Sequence, residues 1–206
     1  MHLTILYTAN IQGELDLLPR LYGHISRLKR GYEGRVLLLD AGNACADEAW
    51  HCEITGGRST LLVLDAMGYH AANASGFLTE EGRDKLADNL LKMAVIGQGD
   101  HWLEKDVLVT IGDVTPAQSH DMHIILAPDE TTSLESRTLR LAAVEQGQVG
   151  IVQVSSADGN GRLAITEYTV EMLPVGILPD PTIAATVDFV LSEARYIQKR
   201  RGDASN

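Results

Sequence analysis

The chain has 206 residues, of which 45% are hydrophobic and 22% charged, and its formal net charge is −11. This apolar content excludes a disordered chain and predicts one globular domain over residues 1–200, with a frayed tail at 201–206. The acidic balance argues against nucleic acid or an anionic membrane as a partner, because phosphate groups are held by lysine and arginine.

The beginning of the chain has none of the features of a secretory leader. Met1 leads directly into an apolar segment, without a basic region or a small-residue cleavage site. No apolar run approaches the roughly 20 residues of a membrane span. We therefore expect a cytoplasmic protein in which Cys45 and Cys52 are reduced, structural thiols. Their separation of seven residues matches no common zinc spacing.

The first half of the chain alternates strands with helices. Apolar runs and capping residues predict, in order, a strand over 3–8, a helix from Pro19 to Gly31, a strand over 35–42, a helix from Ser59 or Thr60 to Gly68, a strand over 70–76, and a helix capped by Thr79 that carries Leu86, Leu90 and Leu91.

The second half is rich in strands, and few helices separate them. Six apolar segments read as strands: "MAVIGQ", "DVLVTIG", "MHIILAP", "TLRLAAVE", "VGIVQVSS" and "RLAITEYTVEML". "ADGNG" at 157–161 predicts a turn between the last two, and Asp180-Pro181 starts a final helix to about Lys199. Together the two halves predict an α/β fold of two packed sheets flanked by helices.

Three segments of the first 78 residues resemble the 5′-nucleotidase branch of the calcineurin-like metallophosphoesterases. They are the polar turn "YTANIQG" at 7–13, "DAGN" at 40–43, and "DAMGYHAANASGF" at 65–77. "VEQGQVG" at 144–150 and "LPDPTIAATV" resemble later segments of the family. The resemblance implies a four-layer αββα sandwich of two mixed sheets, and a dinuclear site whose metals activate water and hold phosphate oxygens.

The positions that match the family's metal ligands carry other residues in this chain. The two aspartates are Asn10 and Asn43, the first histidine is Gln12, and an asparagine–histidine pair is replaced by Gly76 and Phe77. Neutral amides are weak ligands and do not offset the charge of two dications. We therefore expect no metal cofactor. The amides at Asn10 and Gln12 have a second explanation, since asparagine often caps a strand–loop junction.

Other residues offer a second set of candidates for the cleft. Asp40, Asp47, Glu48 and His51 lie on or after the second strand, and with Asn10, Gln12 and Asn43 they complete the predicted binding residues. A mononuclear site built from Asp40 or Asp47 with His51 is one alternative, and a solvated loop is the more common outcome for such a segment.

Three functions compete at this point. The favoured one is a catalytically silent relative that binds a small molecule or a protein through the old cleft. The alternative is a phosphoester hydrolase with a remodelled or mononuclear manganese or zinc site. The third is a non-enzymatic partner in an assembly, such as a homo-oligomer.

Overall fold

The computed structural model describes residues 2–112, 120–156 and 162–204. Its strands are β1 (His2–Thr8), β2 (Arg35–Asp40), β3 (Ala71–Asn73), β4 (Ala94–Ile96), β5 (His101–Glu104), β6 (Val107–Thr110), β7 (Met122–Asp129), β8 (Ser133–Glu135), β9 (Thr138–Ala142), β10 (Gln148–Ser156) and β11 (Leu163–Met172). Its α-helices are α1 (Leu18–Gly31), α2 (Trp50–Thr55), α3 (Arg58–Ala66), α4 (Glu80–Ala87) and α5 (Pro181–Ala204).

The strands form two mixed sheets. The larger sheet has the order β11-β10-β1-β2-β3-β4, in which β1 to β4 are parallel and β10 is antiparallel to both β1 and β11. The smaller sheet has the order β5-β6-β7-β9-β8, with a parallel centre and antiparallel edges. The parallel strands β1, β2 and β3 therefore end at one edge of the larger sheet, where ligands bind in open α/β sheets.

Alternate residues of β1 divide the apolar core into two layers. Leu3, Ile5 and Tyr7 face the smaller sheet, and a fully buried cluster fills the space between the two sheets. Leu6 faces the other side, where side chains of α1, α3, α4 and α5 cover the larger sheet. This two-sided burial explains why β1 and β2 read as almost continuous apolar runs.

The predicted α/β fold, with two mixed sheets flanked by helices, is confirmed. In the described ranges the helices cover the outer face of the larger sheet. The fourth layer of the αββα arrangement, outside the smaller sheet, is not seen in those ranges. The turn predicted at 157–161 lies outside the described residues.

Several helix boundaries differ from the predictions. The N-cap of α3 is Gly57 at φ 85°, and both Ser59 and Thr60 lie buried inside the helix. Helix α2 was not predicted. It ends at Gly56, whose amide donates to the carbonyl groups of Cys52 and Glu53, and the two glycines at 56 and 57 join it directly to α3. Thr79 caps α4 as expected by accepting a bond from the amide of Gly82. At the other end of the chain, α5 continues past Lys199 to Ala204.

The prediction of reduced thiols is wrong. Cys45 and Cys52 form a disulfide, with their Cα atoms 5.8 Å apart. Residues 46–49 fold back so that the first turn of α2 brings Cys52 against the loop that follows β2, a closure that a spacing of seven residues does not reveal. Disulfides are typical of oxidising compartments, and the cytoplasmic location stays a prediction.

None of the helices in the described ranges combines the length and the apolar character that crossing a membrane requires.

Candidate ligand-binding cleft

The loops that follow β1 and β2 run side by side at the edge of the larger sheet. The amides of Asn10, Gln12 and Gly13 donate to the carbonyls of Gly42, Asn43 and Ala44, at 2.9, 2.8 and 2.9 Å. The pairing of β1 with β2 thus continues past the ends of both strands. It fixes the two loops against each other before any side chain contributes.

Three residues of these loops have left-handed backbone conformations. Asn10 has φ 56°, Gln12 has φ 55° and Asn43 has φ 56°. For a residue other than glycine this conformation costs of the order of 1–3 kcal/mol, and it is found most often at functional sites. These are three of the positions that match the family's metal ligands, so the loops keep a constrained shape at those positions.

The amide side chains join these loops to each other and to the loop before β10. Asn43 Nδ2 donates to Asn10 Oδ1 at 2.9 Å, and Asn10 Nδ2 donates to the carbonyl of Val144 at 2.8 Å. Nearby, Gln146 Nε2 donates to the carbonyl of Ile11 at 2.9 Å. Asn10 is therefore half-buried and its donor and acceptor are both in use, whereas the exposed Gln12 and Asn43 face solvent.

Two adjoining cavities open at this edge. The loop pocket, of about 290 Å³, is lined by Gln12, Asn43, Cys45, Ala46, Asp47, Glu48, Gly76 and Phe77. It collects four of the five positions that match family ligands, and Asn10 contacts it through Asn43. Its charged side chains are two exposed carboxylates, which disfavour an anionic ligand.

The main cavity, of about 510 Å³, lies between the ends of the two sheets. Its lining residues are Ala41, Gly42, Asn43, Asn73, Ser75, Gln98, Gly99, Asp100, Thr110, Ile111, Gly112, Ala127 and Pro128. Asp100 is the charged member of this set, and it accepts bonds from the amide of Gly97 and from Arg83. The cavity is therefore lined by amides, hydroxyls, small apolar groups and one carboxylate.

Asn73 holds the two walls of the main cavity together. Its Nδ2 donates to the carbonyl of Ala41 at 3.1 Å and to that of Leu126 at 2.7 Å, which links the larger sheet to β7 of the smaller sheet. Its Oδ1 accepts from the amide and the hydroxyl of Ser75. Asn73 is not among the residues predicted for the cleft, although it ends the third parallel strand at the sheet edge where Asn10 and Asn43 follow the first two.

Asp40 lies beneath the loops and not in the cleft. It is fully buried, its Oδ2 accepts from Thr8 Oγ1 at 2.9 Å, and its Oδ1 accepts from the amide of Gly42 at 3.1 Å. Thr8 Oγ1 also bonds to the hydroxyl of Tyr69. Burial raises the pKa of Asp40 from 3.8 to about 7, and the bonds from Thr8 and Gly42 oppose that shift.

His51 is also part of the internal structure. Its Nε2 donates to the carbonyl of Gly13 at 2.9 Å, so Nδ1 is the acceptor from Ser59 Oγ at 2.8 Å. Burial lowers the pKa of His51, although the bond to Gly13 opposes that shift. The imidazole borders a separate small pocket with Glu14 and Trp50. The structure thus does not bring Asp40 and His51 together with Asp47 and Glu48.

The described residues that line the loop pocket do not fit a pair of divalent metals. Asn10 Oδ1 is occupied by Asn43, and the matched positions in the loop pocket supply two neutral amides, a glycine and a phenylalanine. In residues 2–112, 120–156 and 162–204, no group of three histidine, cysteine, aspartate or glutamate side chains is arranged to hold a metal ion.

Comparisons with known proteins give a fold and no sequence family. No protein-family model matches the chain, and no curated protein matches it either. Among solved structures, a calcineurin-like phosphoesterase of Bacillus subtilis, YfkN, superposes with a TM-score of 0.63 at 10% identity, over 96% of this chain and 99% of that one. The fold is that of a calcineurin-like phosphoesterase.

Two nucleotidases share this calcineurin-like fold. A 5′-nucleotidase precursor of Thermus thermophilus has a TM-score of 0.61 at 12% identity, over 95% of this chain and 59% of that one. An NAD nucleotidase of Haemophilus influenzae has a TM-score of 0.60 at 12% identity, over 97% of this chain and 60% of that one. The present chain therefore spans about three fifths of each nucleotidase. These likenesses confirm the predicted fold.

Proposed function

We propose that this protein binds an uncharged, polar small molecule in the main cavity, without metal-dependent hydrolysis of phosphoesters. The observation that carries the proposal is the chemistry of the two cavities. Their described lining residues include amides, hydroxyls and three carboxylates, and no lysine, arginine or histidine. Phosphate groups are usually held by cationic side chains, helix N-termini or metals, so this lining favours a neutral ligand.

The size of the main cavity supports a ligand of ordinary metabolite size. Ligand pockets in proteins usually enclose roughly 300–1,000 Å³, and the main cavity falls in that range at about 510 Å³. Ile111 and Pro128 offer apolar contact for a ring, and Asn43 and Gln98 offer amide groups for hydrogen bonds. Nucleosides and hexoses have this combination of a flat or apolar face with several hydroxyl groups.

The hydrolase alternative has less support from the placement of its residues. It requires Asp40 or Asp47 to act with His51, or a pair of carboxylates to act as acid and base. Asp40 is fully buried below the loops, and His51 is engaged at both ring nitrogens. A general base must reach the proton that it removes, and these two groups face other protein atoms.

A paired ligand screen tests the proposal. We expect nucleosides or hexoses to raise the melting temperature of the protein more than their phosphate monoesters do. Asn43→Ala combined with Gln98→Ala should remove that shift, while Asn89→Ala, outside both cavities, should keep it. Phosphatase turnover with manganese, zinc or cobalt that disappears in the Asn43 and Gln98 variant would contradict the proposal.

A further inference from the structure

The solvent-facing side of α5 carries two exposed aromatic side chains. Phe189 is 67% exposed and Tyr196 is 61% exposed, and they lie seven residues apart on one stripe of the helix. The small residues Ala185 and Ser192, both exposed, alternate with them along the stripe. Alternating large and small side chains at heptad spacing let two helices approach and interdigitate. We call this stripe, residues 185–196, the α5 stripe.

A second cavity of about 510 Å³ lies directly beside the α5 stripe. Its lining residues are Arg58, Leu62, Lys85, Asp88, Asn89, Thr186, Phe189, Val190, Glu193, Tyr196 and Ile197. At this cavity Arg58 binds both carboxylate oxygens of Glu193, at 2.7 and 3.2 Å. The same surface therefore has both an exposed phenylalanine and a cavity. In a two-fold symmetric dimer one surface must provide both the inserted side chain and the site that receives it.

Oppositely charged side chains flank the α5 stripe on either side of its middle. Asp188 is exposed in the amino-terminal half, while Arg195, Lys199 and Arg200 are exposed in the carboxyl-terminal half. A contact centred on the stripe would have Phe189, Ser192 and Tyr196 in its middle. Asp188 and Arg195 would lie beside it, and because they are seven residues apart they occupy the same heptad position. In an antiparallel pair of such helices, residues at those positions face each other, so opposite charges meet twice.

We propose that a second copy of this chain docks on the α5 stripe. The two α5 helices run antiparallel, the Phe189 side chain of each copy enters the cavity beside the stripe of the other, and Asp188 lies next to Arg195 across the interface. Both cavities of the cleft are lined by residues outside α5.

The mass of the full chain in solution tests the dimer. Sedimentation equilibrium of the wild type should give twice the 22.3 kDa of one chain, with reversible dissociation on dilution. Phe189→Ser should raise the dissociation constant at least about thirtyfold, as for a central aromatic anchor. Val175→Ser, a matched loss of an apolar side chain that is 96% exposed, should leave it unchanged. Circular dichroism verifies that both variants are folded.

Charge reversal tests the antiparallel arrangement separately. Asp188→Arg and Arg195→Asp should each weaken the dimer about tenfold, and the double variant should restore most of the affinity. A wild type that stays monomeric at high concentration would overturn the proposal. A dimer that Phe189→Ser leaves intact, or one whose charge variants do not compensate, would overturn it as well.

Discussion

The rim of the cleft and the layer beneath it differ in charge. At the rim, Asn10, Gln12 and Asn43 are neutral amides held in left-handed backbone conformations. One layer below, Asp40 is a carboxyl group with no solvent exposure, bonded to Thr8 and to the Gly42 amide. At these positions the protein thus has neutral amides at the rim and an ionisable carboxyl group in the buried layer below.

The difference shows that backbone shape and side-chain charge can be separated at such a site. Asparagine tolerates a left-handed conformation nearly as well as aspartate, because both side chains bond locally to the backbone. The paired amides and carbonyls of the two loops hold the turn through backbone bonds alone. The loop geometry can persist while the chemistry of the positions that line it differs.

The largest expected effect comes from removing the buried carboxyl group. The folded-state pKa of Asp40 is about 7, against 3.8 for the unconstrained group. Burial therefore favours the protonated form of Asp40. The stability that this form contributes is complete below pH 3.8 and is lost as the pH rises through 7. Asp40→Asn keeps the acceptor for Gly42 and avoids the buried charge. We expect it to exceed the wild type in unfolding free energy by up to about 4 kcal/mol above pH 7.

Urea denaturation from pH 4 to pH 8 measures this difference directly. The gap between Asp40→Asn and the wild type should be smallest at pH 4, widen up to pH 7 and stay constant above it. A gap that does not change with pH would mean that Asp40 is ionised throughout the range and that the contrast between rim and interior is wrong.

A smaller effect is expected from the histidine that supports the rim from inside. His51→Ala removes the bond to the Gly13 carbonyl and the bond to the Ser59 hydroxyl, which should cost about 2–4 kcal/mol. The exposed His101 provides the control, since His101→Ala should change stability by less than about 0.5 kcal/mol. Equal costs for the two variants in chemical denaturation would contradict the structural role of His51.

The smallest effect should separate backbone strain from side-chain bonding at the rim. Asn10→Ala and Asn10→Gly both lose the bonds to Val144 and Asn43, but only glycine adopts φ 56° without strain. We expect the glycine variant to be more stable than the alanine variant by about 1 kcal/mol. Thermal denaturation of both variants measures the difference, and alanine matching glycine would indicate that the loop relaxes to another conformation.

The sequence predicts the fold better than it predicts where individual helices and strands begin and end. Long apolar runs gave β1, β2, β7 and β10, because strands buried on both faces have a distinctive composition. Short edge elements such as β5 and β8 gave no such signal. Helix α2 was not predicted because six residues form a helix only through their contacts with α3 and α5, and the disulfide depends on that same helix.

The candidate site could be predicted in part. Positions at the ends of β1 and β2 were identifiable, because parallel strands bring their carboxyl ends to one edge. The sequence does not identify Gln98 and Thr110 as lining residues. They come from the region around the smaller sheet, where the order of strands cannot be read from one sequence. Asp40 is a predicted cleft residue that lies below the cleft. The alternation of side chains along β2 determines which way Asp40 faces only once the register of the sheet is known.

Metal content is the most direct test of the central claim, that this cleft binds its ligand without a metal. The full chain is dialysed with manganese and zinc, loosely bound ions are removed, and the protein is examined by elemental analysis. We expect no stoichiometric metal, because the matched positions supply neutral amides, a glycine and a phenylalanine. A pair of metal ions retained by each chain would contradict the account.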